Sequence, residues 1–529
     1  MIKYTPQSQI STTLFKTPFQ QYLDPKNRWV VLEGIIPWDE MAKPLMEGMD
    51  SKNGRMSIDL RYVLGALLIK GLDNLSDEDT IRAIQENLYM QFFVGLPEFV
   101  IEPIFVPEVL VEARKRLGDE GMRNINDILI EHAHKSGIIK HRKEYSKKDQ
   151  NSDKGSDQVE QESQPEKENT TEQTPNRGTL KLDATVADQY IAYPVDTRLL
   201  ERARRESEAI IDRMYSLGIW GNNKPRTYRR KAKQAYINFA KKKSPTRKQI
   251  RRCIKQQLNY IARNLRHIDK GWDMLNYEQI MEVFKQANSY RNQLVIREIY
   301  RQQKELYHKR GRKDGSNSIK DRIISFHEPW VRPIVRGKSG RKTEFGAKVN
   351  FSETEGFVRA DRIDFNNFNE STDLKNQIEA FKGLFGHYPA NVLVDKIYLT
   401  RENRKYLDSK GIKHYGPQLG RPPKMTREQK ITRKKKQNKR SEVEGKFGLG
   451  KFKFGLNKIQ MKRPETSKGH IHLIAISMNI WQIMLNIFAS KHKIWHQLLL
   501  RTLNVIKMKD KCATWSFLLS AKPTLSRSN

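Results

Sequence analysis

Between residues 141 and 178 the chain carries a single aliphatic residue, Val159, among Lys, Glu, Ser, Gln, Asn, Thr and Pro. A segment this polar cannot bury enough apolar surface to offset the entropy of ordering it. It is expected to be a disordered polar linker, and it divides any fold into a part before it and a part after it. The 529 residues also exceed what one core ordinarily organises. The expected organisation is a helical N-terminal domain at 1–140, the linker at 141–178, an α/β domain at 179–500 and a C-terminal tail at 501–529. A basic helical insertion is expected inside the α/β domain at about 199–320.

Lysine and arginine number 98 against 61 acidic residues, a formal net charge of +37 that calls for a polyanionic partner. A basic membrane-surface protein is the rival reading, but no sustained amphipathic Lys/Arg helix stands near a terminus and the mean hydropathy is −0.75. Nucleic acid is therefore the expected partner. The two cysteines, Cys253 and Cys512, lie too far apart in sequence to suggest a disulfide framework or zinc cluster, which fits a reducing cytoplasm. The N-terminus has no uninterrupted apolar core of the kind that directs secretion. The most apolar stretch, residues 471–488, is interrupted by Asn479, Gln482 and Asn486, so it reads as a buried helix rather than a membrane span.

Arg61 to Leu72 is mostly apolar, and Ser76 followed by Asp79 resembles a capping box that starts a helix. Ile81, Ile84, Leu88 and Phe92 would share one face of that helix. Beyond the linker, Leu180 and Leu182 alternate with Lys181 and Asp183 in a short strand expected to finish on the acid. Phe345, Ala347, Val349 and Phe351, a turn at Glu353–Gly356, and Val358, Ala360 and Ile363 spell a hairpin. A helix is expected at Asp373–Phe385, followed by the apolar run Val392-Leu393-Val394 of a strand buried on both faces, which ends at Asp395. A helix at Thr400–Ser409, a short strand at Ile412–Tyr415 and an exposed basic run at Arg421–Arg440 complete the pattern. No repeat at a solenoid or propeller period is present.

Two strands that finish on aspartate place both acids at one edge of a sheet if the strands are neighbours and parallel. A third acid on a following helix could complete an all-oxygen cluster suited to magnesium or manganese, the metals of phosphodiester chemistry. Any one strand-end acid alone is more often a solvated end or a cap. The segment Arg440-Ser-Glu-Val-Glu444-Gly-Lys-Phe-Gly-Leu-Gly-Lys451 changes that weighting. It resembles the R-x3-E-x6-K part of the Y-x2-R-x3-E-x6-K signature of one branch of bacterial insertion-sequence DDE transposases, with Gln437 where the leading tyrosine stands. On a helix, residues 440, 444 and 451 would share one face. The first aspartate of that family sits in Leu-Asp-x-Thr, matched by Leu182-Asp183-Ala184-Thr185, and the second is followed by a tyrosine, matched by Asp395 and Tyr398.

The resemblance extends to Tyr193-Pro194-Val195-Asp196, Arg336-Gly337-Lys338, Glu344-Phe345-Gly346-Ala347-Lys348 and Phe92-Phe93-Val94-Gly95-Leu96. It implies an RNase H-like α/β catalytic domain of mixed sheet and flanking helices, preceded by an all-α domain that binds DNA ends. It further implies terminal inverted repeats and target DNA as partners, cleavage and strand transfer, and a homodimer or higher oligomer in the synaptic complex, working at the bacterial nucleoid. Asp183, Asp395 and Glu444 would be the catalytic acids, holding two Mg2+ ions, or Mn2+, and Arg440, Lys451 and Tyr398 would contact DNA. Glu442 competes with Glu444, and Asp188 with Asp183; spacing to Arg440 and Lys451 favours Glu444, and strand position favours Asp183.

Gly445, Gly450 and Lys451 mimic a phosphate loop, but Phe452 stands where a metal-binding Ser or Thr is required. His132 and His134 lack a matching set of metal ligands. The basic runs at 228–231, 241–243 and 433–436 fit phosphate contact, and Tyr236, Phe239 and Trp272 fit core packing. A catalytically inactive DNA-binding derivative and an RNase H-fold nuclease without strand transfer are the competing readings.

Overall fold

The computed structural model describes residues 2–9, 23–47, 49, 57–139, 175–285, 289–310, 318–335, 343–415 and 426–487. The expected linker up to residue 174, the expected tail at 501–529 and Arg336-Gly337-Lys338 lie outside the described residues. Before the linker the α and β elements among the described residues are all helices: α1 (Arg28–Glu33), α2 (Trp38–Met46), α3 (Leu60–Asp73), α4 (Asp77–Glu86), α5 (Leu88–Val94) and α6 (Glu108–Lys135). Ser76 caps α4 by accepting from the Asp79 amide at 3.0 Å. The single helix expected to carry Ile81 through Phe92 is in fact two. Asn87 leaves the helix at φ −123°, ψ 108°, and its side chain accepts from the Tyr89 and Met90 amides to start α5. An Asn side chain competes well for free amides at a helix start, and the apolar face resumes after the break.

Among the described residues six strands form one mixed sheet: β1 (Thr179–Asp188), β2 (Arg332–Val335), β3 (Thr343–Thr354), β4 (Phe357–Asp364), β5 (Asn391–Leu393) and β6 (Lys413–His414). Their order is β2–β3–β1–β5–β6, with β4 also on β3. β3 runs antiparallel to β1, β2 and β4, whereas β5 is parallel to β1 and to β6. The hairpin turns at Glu355 (φ 48°) and Gly356 (φ 93°), two consecutive left-handed residues as a tight hairpin requires. β1 does not finish at Asp183 as its alternation suggested. β3 pairs with it from Lys181 to Asp188, and a ladder that long carries the strand past the acid.

Between β1 and β2 stand α7 (Asp196–Ser216), α8 (Arg229–Ala240), α9 (Arg247–Asp273), α10 (Tyr277–Lys285) and α11 (Ser289–Lys309). This insertion has a core of its own, with Leu200, Ile211, Ile261, Ile268, Ile296 and Ile299 buried together. Trp272 packs against that core and donates to Gln293 at 2.7 Å. Asp196 at the start of α7 accepts from Gln303, Arg310 and Arg322 at 2.7–3.0 Å, tying the two ends of the insertion together. Burial works against its charge, but Arg322 and Arg310 hold the carboxyl below the ordinary range.

After the hairpin come α12 (Leu374–Phe385), α13 (Arg401–Ser409, capped by Thr400), α14 (Arg427–Lys439), α15 (Ser441–Phe452) and α16 (Pro464–Ile487). The N-terminal helices do not close on themselves. A continuous cluster of buried side chains joins α1–α6 to Leu180 and Leu182 of β1, to α12, and to Leu473, Ile476, Ile480 and Ile483 of α16. The other side of α16, through Ile471, Ile474 and Met478, packs with Val349, Phe351 and Ala360 of the hairpin. α16 is long and apolar enough to span a membrane, yet most of it is buried between these two clusters. Asn479 is accommodated there because it accepts from the Val358 amide and donates to the Val358 carbonyl and Asn126, each at 2.8 Å.

Candidate active site

The parallel ladder between β1 and β5 pairs Lys181 with Leu393 and then stops. Two residues beyond that last pair come Asp183, still within β1, and Asp395, just past the end of β5. Asp183 lies where β1 keeps its β3 partner on one side and loses β5 on the other. Its side chain, 15% exposed, accepts from the Ala184 amide at 2.8 Å and faces Arg440 Nη1 at 3.5 Å. Asp395 is exposed and caps a 3₁₀ turn, Lys396–Tyr398, accepting from the Lys396 amide at 2.7 Å. Asp188, the competing first acid, is five residues further along β1, about 16 Å from Asp183.

Helix α15 packs over the Asp183 face of the sheet. Val443 is buried, and Phe447 meets Phe351, the residue opposite Asp183 on β3, with ring centroids 5.7 Å apart. Of the three glycines that weaken this helix, Gly450 has a packing reason: a Cβ there would stand 3.2 Å from Met478 Sδ of α16. Arg440, at the N-terminus of α15, reaches both Asp183 and Glu444, the latter at 3.7 Å. Glu444 is 59% exposed on the first turn of α15. Glu442 is committed elsewhere, to Lys181 Nζ at 2.6 Å. The buried Lys181 ammonium also meets Glu353 at 2.6 Å. Burial lowers its proton affinity, but Glu353 and Glu442 overcome that and hold the pKa above the ordinary lysine value.

Lys451 shares the helix face of Arg440 but lies three turns, about 16 Å, along the axis, where its Nζ is 3.7 Å from Glu344. One phosphate cannot be gripped by both. Tyr398, expected to contact DNA, is buried with no surface for a duplex in this arrangement, and its hydroxyl donates to Asn350 Oδ1 at 2.6 Å. Burial, with Glu370 and Asp183 nearby, raises its phenol well above the ordinary value. The tyrosine packs the 3₁₀ turn of Asp395 against β3 from beneath. Lys181 is the participant that the sequence reading passed over. A lysine between leucines in a buried strand signals a cation that needs acids around it.

The donors are carboxylate oxygens, which fit a hard divalent cation. Asp183 and Asp395 each follow the last β1–β5 pair by two residues, and Arg440 contacts both Asp183 and Glu444. Among the described residues no group of three or more His, Cys, Asp or Glu lies close enough to hold a metal ion. Carboxylates of this kind suit a divalent cation, and a cage of all three would require Arg440 and Glu444 to rearrange.

A family model described as Transposase DDE domain matches residues 392–481, from β5 through Asp395, Glu444 and Lys451 into α16. A second, described as Transposase domain (DUF772), matches residues 17–116. An uncharacterized protein, ORF8 in the nfe locus of Rhizobium meliloti, is 25% identical over 190 residues, which is 36% of this chain and 75% of that protein. No solved structure matches the chain.

Proposed function

We propose that this chain, which both domain matches support as an insertion-sequence DDE transposase, binds the terminal inverted repeats of its own element and cuts and joins DNA strands. The observation that supports the chemistry is the β1–β5 register, in which Asp183 and Asp395 each follow the last pair by two residues. In this reading the mixed sheet with helices against it is an RNase H-like domain, and residues 1–140 hold the DNA ends. Asp183 and Asp395 would hold the divalent cation, Mg2+ or Mn2+, with Glu444 joining them. When bound, such a metal activates the attacking water or hydroxyl and stabilises the leaving oxygen of the phosphodiester. Arg440 orients Asp183 and Glu444 and offers its guanidinium to a phosphate oxygen. Lys451 acts further along the strand, and Lys434, Lys435 and Lys439 of α14 add contacts that give affinity without sequence preference. Synapsis of two ends requires at least a homodimer, acting on bacterial DNA in the cytoplasm.

Asp395→Ala is the decisive substitution, because Asp395 is exposed and its loss leaves the core intact. The variant is expected to bind end DNA as the wild type does and to cut none in magnesium. Unchanged cleavage would remove the assignment. Supplying pre-cleaved ends tests joining separately from nicking, and wild-type protein that binds ends but never nicks would be a catalytically inactive derivative.

A further inference from the structure

Beyond the end of β1, the insertion and the sheet enclose a cleft of about 1250 Å3. One wall is the segment Tyr190–Val195 with the first turns of α7; the other is the segment 324–330 with Lys462 and Arg463. The lining includes six arginines and one lysine against three glutamates. Those glutamates leave a formal excess of four positive charges, with Arg202 and Lys462 partly neutralised by Glu206 and Glu328. Glu201 and Glu206 are paired with arginines of their own helix, and Glu328 is buried beneath Lys462, 3.2 Å from its Nζ. Tyr193 is 73% exposed, with its edge fixed against Phe345 at 5.7 Å, and Tyr190 is held by Lys458 at 4.6 Å over its ring.

We propose that this cleft is a binding site for unpaired DNA, in which Tyr193 stacks on a base while Arg198, Arg202 and Lys462 hold the backbone phosphates. The inference rests on the reading that the protein handles DNA. A cationic groove lined with aromatic faces is the arrangement by which proteins hold single strands without sequence preference. A duplex does not satisfy Tyr193 in the same way, because its neighbours cover both faces of every paired base. The site also has a consistent position. Tyr190 is seven residues past Asp183, about 20 Å along the strand direction, which corresponds to about six stacked nucleotides from the catalytic acids. A strand opened near the scissile phosphate can therefore reach the cleft.

The test uses the full chain and two fluorescent probes, an oligothymidylate and a duplex of equal length, titrated at several salt concentrations. Tyr193→Ala is expected to weaken oligothymidylate binding about tenfold, the loss of one stacked base, and to leave duplex binding unchanged. Tyr193→Phe is expected to restore the wild-type affinity, which a merely structural role of the hydroxyl would not allow. Arg198→Ala and Lys462→Ala are each expected to reduce the salt slope for oligothymidylate by about 0.7. Failure of the wild type to bind oligothymidylate, unchanged binding by Tyr193→Ala, or an equal loss on both probes would overturn the proposal. Asp395→Ala is expected to bind oligothymidylate normally. If Asp395→Ala still cleaves DNA, the active-site reading falls while the cleft proposal is judged on the probes alone.

Discussion

Glu442 and Glu444 lie two residues apart on the first turn of α15 and are almost equally exposed, at 56% and 59%. Replacing each by Gln removes one charge from similar surroundings, so the contrast between the variants isolates their partners. Glu442 serves Lys181, which keeps Glu353 at 2.6 Å when Glu442 is gone. With more than half of Glu442 in water its attraction is screened, and the loss costs about 0.5–1 kcal/mol. Removing Glu353 instead would strand a buried cation, at about 3–5 kcal/mol. For a chain of this size, Glu442→Gln therefore lowers the thermal midpoint by about 2 °C or less. Glu444→Gln gives up only the Arg440 contact at 3.7 Å and leaves the midpoint unchanged. In a nicking assay on a supercoiled plasmid carrying the element ends, Glu444→Gln is expected to lose about 100-fold or more in rate, whereas Glu442→Gln stays within a few-fold of the wild type. Loss of cleavage by Glu442→Gln at an unchanged midpoint, with Glu444→Gln cleaving normally, would refute the reasoning and exchange the two roles.

Tyr398→Phe deletes the hydroxyl that donates to Asn350 and leaves a buried amide oxygen short of a donor, at about 1–3 kcal/mol in urea unfolding. Its affinity for duplex DNA is expected to be unchanged; weaker binding at unaltered stability would return Tyr398 to the DNA surface. Stability is also expected to fall in acid. Burial, helped by Lys70 and Arg114, holds His470 down at about 3, so below about pH 6.5 the unfolded chain binds a proton that the folded chain refuses. The contribution is complete above the unfolded pKa and declines by about 1.4 kcal/mol per pH unit as the pH falls from there toward the folded value. His472, also held low by burial, acts in the same direction. His470→Gln is expected to flatten the dependence of urea-unfolding stability on pH by that amount per unit, and an unchanged slope would exclude the assignment.

The elements readable from sequence were those whose cause is local. Ser76 and Thr400 cap the helices they precede, Val392-Leu393-Val394 contains a buried strand followed by Asp395, and the 440–451 spacing holds on a helix. What escaped depends on partners distant in sequence. The length of β1 is set by β3, more than 150 residues later, so its alternation alone could not show that Asp183 is mid-strand. Glu442 and Glu444 differ only in what the sheet offers them, Lys181 on one side and Arg440 with Asp183 on the other. The burial of Tyr398 follows from Asn350 on β3, which no local pattern reveals.

The least legible feature has the largest mechanistic consequence. The linker invites a picture of an N-terminal domain tethered loosely to a catalytic one, yet α1–α6 share one core with β1, α12 and α16. Polar contacts reinforce that union at its centre. Asn126 of α6, Val358 of β4 and Asn479 of α16 form a buried network, and Arg359 beside them is paired with Asp127 of α6 at 2.7 Å. Separating the N-terminal helices would expose that apolar surface and leave these groups unsatisfied, so this union is broken only at high free-energy cost. A DNA end held by the N-terminal helices would therefore be presented to Asp183 and Asp395 from a fixed direction, whatever path the intervening residues take. On this argument, cutting the chain within residues 141–174 leaves the two parts associated and the acids still supplied with DNA, whereas Asn479→Leu, which breaks the network without cutting the chain, loosens both.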